Sequence, residues 1–298
     1  MEQIVNAVAQ SIQELRAQKP QADAPVVLPA PQKDAPVQIA PGPAEELLED
    51  LTSPQEKQKP RLTDAQDFEA LVRMKHKTAA RIGIGKRGPR LDTKSMLTLR
   101  ADHAMARDSV FADVAPEFLE QLGLACFQTR CKDKDEFLTR PDLGREFDPK
   151  TEQEIRQRCE QGKTVVIYAS DGLSSKAIEA NLQNILPAIR EGLAARSISM
   201  ATPFFVRFGR VAAMDHISEL LGSEITCVLI GERPGLATAE SMSCYMAYKA
   251  TVGMPESRRT VVSNIHSGGI TAVEAGAYIA EVIEKMLAAK ASGVDLKK

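Results

Sequence analysis

Three short segments carry the residue types best suited to binding chemistry: Ser170-Asp171-Gly172, Gly231-Glu232-Arg233-Pro234-Gly235 and Ser263-Asn264-Ile265-His266. Glycine lets a backbone approach a ligand closely, Asp171, Glu232 and Asn264 offer hydrogen-bond acceptors, and Arg233 offers a fixed fork of donors. That combination suits a ligand rich in amide or hydroxyl groups. Each segment alone also has a purely structural reading, because Ser170-Asp171 can N-cap a following helix and Gly231 to Gly235 can form a plain turn. All three follow short apolar runs, which places them together at one edge of a sheet and favours the ligand reading for the set.

Other candidates for chemistry are weaker. His266, in Asn264-x-His266-x-x-Gly269, has the spacing of the D-x-H-x-x-G cobalt-ligand motif of some corrinoid proteins, but asparagine replaces the aspartate that would orient and polarise the imidazole. A hydrogen bond to a neighbour is the better assignment. His76, His103 and His216 show no ligand spacing, so no metal site built from protein side chains is expected. Ser241 and Ser243 lack an adjacent His/Asp pattern, which leaves a nucleophilic triad unsupported. Tyr245 and Tyr248, with Met242 and Met246, read as core or interface packing. Gly83-x-Gly85-x-x-Gly88 matches a dinucleotide fingerprint by letter, but it follows a helical pattern and meets Pro89 at once, so it reads as a basic loop between helices, whose cations still suit a phosphate or an acidic subunit surface.

The elements that must position these residues follow from composition and periodicity. With 38 Lys+Arg against 40 Asp+Glu in 298 residues the net charge is −2, which argues against a nucleic-acid partner. No window approaches the roughly 18 apolar residues of a membrane span, and the N-terminus lacks the features of a signal peptide, so a soluble, unsecreted protein is expected. Five cysteines without a C-x-x-C pair suit a reduced cytosolic setting.

Four regions are expected. Over residues 1–19, Ile4, Val5, Val8, Ile12 and Leu15 lie on one side of a short helix, whose apolar stripe suits docking to a partner or, as the alternative, packing back on the chain's own body. Residues 20–62 form a Pro/Ala-rich disordered linker, since nine of the seventeen prolines lie between Pro20 and Pro60. Residues 63–150 are mainly helical, with helices from Phe68 to about Arg81 and from about Thr93 to Phe111. Over 151–298, apolar runs at 164–169, 204–206, 225–230 and 260–262 alternate with helical patterns, the last from about Ala272 to Ala289. Near-continuous apolar strands separated by helices require cover on both faces, which predicts an α/β class with a Rossmann-like, doubly wound, mainly parallel sheet.

The strings Thr139-Arg-Pro-Asp-Leu-Gly-Arg145, Ser170-Asp-Gly-Leu-Ser174, Thr202-Pro-Phe-Phe-Val-Arg-Phe-Gly-Arg-Val211, Gly231-Glu-Arg-Pro-Gly-Leu236 and Ser263-Asn-Ile-His266 together resemble the small (light) subunit of ethanolamine ammonia-lyase. The likeness runs from about Arg73 to the C-terminus. It implies an adenosylcobalamin-dependent enzyme that converts ethanolamine to acetaldehyde and ammonia by a radical mechanism. In that family a large subunit holds the substrate, the corrinoid is gripped between the two subunits, and the cofactor carries the difficult step. On this reading no catalytic residue lies on this chain. Family cobalamin contacts carry over to Val211, Glu232 and Val261, and with them come Ser170, Asp171, Gly172, Arg210, Arg233, Ser263 and Asn264 as further cofactor-binding candidates. Relatives often have cysteine where Val261 stands, which puts a side-chain role there in doubt while leaving room for a backbone contact.

The resemblance also implies that the corrinoid keeps its own base on cobalt, with His266 not a ligand. It further implies that residues 1–19 target the enzyme to the shell or cargo of a bacterial microcompartment in the cytoplasm. Two rivals are a stand-alone enzyme binding a nucleotide through Gly83 to Gly88, and a non-catalytic adaptor joining an enzyme to a shell.

Overall fold

The computed structural model describes residues 50–62 and 64–296. The helix expected over 1–19 and most of the linker expected over 20–62 lie outside these residues. Within 50–62 the chain forms α1 (Pro54–Gln58), which starts at proline behind the cap Ser53, whose hydroxyl accepts from the Glu56 N–H. Next comes α2 (Phe68–Lys75), capped by Asp67. This helix stops short of the expected Arg81. The basic segment after it forms a small antiparallel hairpin, β1 (Lys86–Arg87) and β2 (Arg90–Leu91), with Gly88 at φ +61° in the turn. Neither the plain loop nor the strand-then-helix setting of a dinucleotide fingerprint is present there.

A longer helix, α3 (Thr93–Phe111), starts behind Asp92, whose carboxylate accepts from the Ser95 N–H, and spans the expected residues. It is followed by α4 (Pro116–Gln121), β3 (Ala125–Gln128), α5 (Lys134–Thr139) and α6 (Pro149–Arg158). β3 is a departure from the mainly helical character expected over 63–150. It pairs with a strand beyond residue 200, so the sheet recruits chain from both sides of the expected boundary at 150, and residues from Asp50 onward form one unit.

The remaining elements are β4 (Val165–Ser170), α7 (Ser175–Ala194), β5 (Phe204–Arg207), α8 (Ala213–Leu221), β6 (Ile225–Gly231), β7 (Met242–Tyr248), β8 (Thr260–Ile265) and α9 (Ala272–Ala289). The sheet has the order β3-β5-β4-β6-β7-β8. Four strands from β3 to β6 are parallel, whereas β7 runs antiparallel to both β6 and β8. The sheet is therefore mixed. The reason is local: a parallel return needs a crossover of about a dozen residues or more, usually helical, and no helix lies between Gly231 and Met242. A hairpin-like return results, so the β6–β8 half departs from the repeated β-α-β pattern expected of a Rossmann-like sheet.

Strand alternation divides the core into two layers. Val165, Ile167, Leu229, Cys244 and Val262 face α7 and α9, where Leu182, Ile185, Ile279 and Ile283 are buried. Val166, Tyr168, Phe204 and Val228 face the other way, against Met214 and Ile217 of α8 and Ile155 of α6. β4 is buried at all six positions because it lies inside the sheet with helices on both sides. Among the described residues no helix is long and apolar enough to cross a membrane. All five cysteines are free.

Candidate functional site

The carboxyl ends of β4, β5 and β6 meet where α7 goes to one face of the sheet and α8 to the other. In an open α/β sheet this is where a ligand crevice is expected. Here the chain fills it. Asp171 is 2% exposed, and its Oδ1 accepts from the Phe208 N–H (2.8 Å) and the Gly172 N–H (3.1 Å), while Oδ2 pairs with Lys134 Nζ at 3.0 Å. Burial pushes the Asp171 carboxyl above its ordinary range, and the Lys134 ammonium opposes that rise. Ser170 is wholly buried, donates to the Gly209 carbonyl and accepts from the Gly209 N–H at 3.1 Å.

Glycine is required where these loops cross. A Cβ on Gly231 would lie 2.1 Å from the Ser174 carbonyl oxygen, and one on Gly172 would lie 2.5 Å from that of Gly231, in a residue already at φ +53°. The first predicted segment is thus a buried brace between the β4, β5 and β6 ends. Ser170, Asp171 and Gly172 hold the loops in place from beneath.

The accessible candidates lie one step across the sheet. Tyr245 of β7 is opposite Val228 on one side and Val261 on the other, so the three side chains share the α8 face. Its hydroxyl reaches Glu232 Oε1 at 3.5 Å, and burial followed by the Glu232 charge raises its pKa. Val211, just before α8, is partly buried and packs against the same core layer as Tyr245. Val261 itself is 47% exposed, because α8 covers β4 and β6 without covering β8. Val211, Glu232 and Val261, distant in sequence, therefore lie on or beside one face.

Ser263 and Asn264 extend that face. Met242 pairs with Ile265 while Cys244 pairs with Val262, so β8 carries one extra residue, and Asn264 sits at φ +57° within this bulge. Both residues are exposed. Asn264 uses its carbonyl to accept from the Ile270 N–H, and His266 Nδ1 accepts from the Gly268 N–H at 3.1 Å. His266 thus has the neighbouring hydrogen bond that its defective motif predicts, and the described residues contain no cluster of three or more His, Cys, Asp or Glu able to hold a metal ion.

The arginines divide. Arg233 is exposed on the β6–β7 loop, whereas Arg210 turns inward, with its guanidinium 4.2 Å from the Phe137 ring centre and bonded to the Phe137 carbonyl. Two positioning contacts were not legible in the sequence. Lys134 reaches Asp171 from 37 residues away, and Arg259, entering β8, grips both oxygens of Asp215 on α8 at 2.9 and 2.8 Å with both side chains buried. The latter pair fixes α8 against the start of β8 and so sets the width of the open face.

Taken together, the face offers apolar surface at Val211 and Val261, acceptors at Glu232 and Asn264, a hydroxyl at Ser263 and donors at Arg233. Residues 68–297 match the family model described as ethanolamine ammonia-lyase light chain. The chain belongs to the ethanolamine ammonia-lyase light-chain family. It is 60% identical over 232 residues to the ethanolamine ammonia-lyase small subunit of Clostridium tetani, covering 78% of this chain and 79% of that one. It is 51% identical over 254 residues to that of Clostridium perfringens, covering 85% and 86%, and 52% identical over 250 residues to that of Clostridioides difficile, covering 84% and 85%. Membership of the light-chain family accounts for the conspicuous loop strings, which include both the buried brace and the exposed face.

Proposed function

We propose that this chain, as the small subunit of ethanolamine ammonia-lyase, forms one wall of an adenosylcobalamin site whose other wall is the large subunit. The observation that supports this reading is that Val261 lies opposite Tyr245, whose hydroxyl reaches Glu232, on the side of the sheet where Val211 also packs. A corrinoid has an apolar macrocycle edged with amide side chains, so it needs apolar contact flanked by both donors and acceptors. Exposed Arg233, Val261, Ser263 and Asn264 with half-buried Val211 and Glu232 offer a set that fits such a ligand.

When bound, the cofactor supplies the radical chemistry that removes a substrate hydrogen and leads to acetaldehyde and ammonia. This chain's residues bind and orient. Val211 and Val261 give apolar contact, Glu232, Ser263 and Asn264 meet the amide edge, and Arg233 donates from the loop beside them. The brace of Ser170, Asp171 and Gly172 holds these loops in register, and the Asp215–Arg259 pair ties α8 to the start of β8. His266 remains off the cobalt. On this reading the large subunit holds the substrate, and this chain contributes binding and orientation of the cofactor.

Co-expression with a large subunit is expected to yield a complex that cleaves ethanolamine only when adenosylcobalamin is added, with each subunit inactive alone. Equal activity from the large subunit by itself would overturn the reading. The amphipathic spacing of residues 1–19 supports a second element, delivery of the enzyme to a microcompartment. A reporter fused to Met1–Lys19 is expected to enter shells, and a diffuse reporter in cells with intact shells would count against delivery.

A further inference from the structure

Lys75, the last residue of α2, is 7% exposed and has no carboxylate partner among the described residues. Its ammonium donates to the Ile82 carbonyl at 2.9 Å. Burial, then the charges of Arg61 and Arg81, push its pKa down, as expected for an ammonium held among like charges. All three side chains line a cleft of ≈ 600 Å³ between the N-terminal helices and Leu236 of the β6–β7 loop.

The charges in this cleft do not balance. Its only carboxylates among the described residues are Glu56 and Asp102, both buried, and each is shared by two cations. Lys57 and Arg81 both reach Asp102 at 2.6 Å, while Lys59 and Arg61 both pair with Glu56. Lys75 and Lys77 add two more cations, leaving an excess of four positive charges. Donors are also left over: Arg61 and Arg81 make their described bonds through Nη2, with Nε and Nη1 unbonded among the described residues. Guanidinium and ammonium groups in this state match the several acceptor oxygens of a tetrahedral oxyanion, and the cleft is in the size range of small-ligand sites.

We propose that this cleft is a binding site for a phosphate-class oxyanion, either free phosphate or a small phosphomonoester, held by Lys75, Arg61 and Arg81. The site is independent of the corrinoid face. Because Arg81 Nη2 also donates to the Leu236 carbonyl at 3.3 Å, the occupied cleft would secure the middle of the β6–β7 loop, in the turn closed between Gly235 and Thr238.

Inorganic phosphate titrated into the full chain by calorimetry, with sodium chloride matching ionic strength in the reference, tests this. Saturable binding is expected, weakened at least tenfold by Lys75→Met and by Arg81→Gln and unchanged by Lys150→Gln, a substitution at an exposed site elsewhere. Should Lys75→Met fail to fold, Lys77→Gln on the cleft wall, with an unchanged circular dichroism spectrum, must weaken binding by several-fold. No saturable binding beyond the chloride reference, or equal binding by wild type and the cleft variants, would overturn the proposal.

Discussion

Replacement of Asp171 by alanine is expected to lower stability by about 3–5 kcal/mol, the usual cost of leaving one member of a buried ion pair unpaired. The Lys134 ammonium, with a side chain 9% exposed, would lose its counter-charge, and the Phe208 and Gly172 N–H groups would lose their acceptor. For a domain of this size the melting temperature should fall by roughly 10 °C. Urea denaturation of the purified chain measures the effect. The double variant Asp171→Leu/Lys134→Met should recover the part of the loss that comes from the unpaired ammonium, and no more, because the Phe208 and Gly172 N–H groups still lack an acceptor. A single variant within 1 kcal/mol of wild type on that scale, or a double variant no better than the single, would show that the brace is not held by this charge pair.

Filling the open face should separate binding from folding. Val261→Trp places an indole where the side chain is already 47% exposed, so the isolated chain should keep its circular dichroism spectrum and melting temperature. On the proposed function the same bulk would stand against the corrinoid in the assembled two-subunit enzyme, and overpacking of about 1–3 kcal/mol corresponds to a loss of coenzyme affinity of roughly 5- to 150-fold. Val273→Trp is the control, because Val273 is 59% exposed on α9, which packs on the other side of the sheet. Wild-type affinity and turnover in the Val261→Trp enzyme would remove Val261 from the site. A loss in both variants would instead point to a general effect on assembly.

Much of the architecture was legible from residue order because it depends on local periodicity. The apolar runs at 165–170 and 225–231 are buried at every position and could only be interior strands, and the 3.6-residue spacing of Ile178, Leu182, Ile185 and Ile189 marked α7. β3 and β7 escaped that reading. β3 is four residues long with a mixed burial pattern, and the Met and Tyr residues of β7 fit core packing as well as a strand; what makes each a strand is the backbone of a neighbour.

The same division applies to the site. The residue order alone marked the candidate segments, because three loops rich in Gly, Asp, Glu, Arg and Asn follow apolar strands, although each loop by itself also has a structural use. Only three-dimensional packing decided their roles: Asp171 turned inward once Lys134 and the Phe208 N–H surrounded it, while Val261 stayed outward because α8 ends its cover before β8. Burial and charge pairing arise from residues 37 and 44 positions apart, and no local pattern encodes which partner arrives across such a distance.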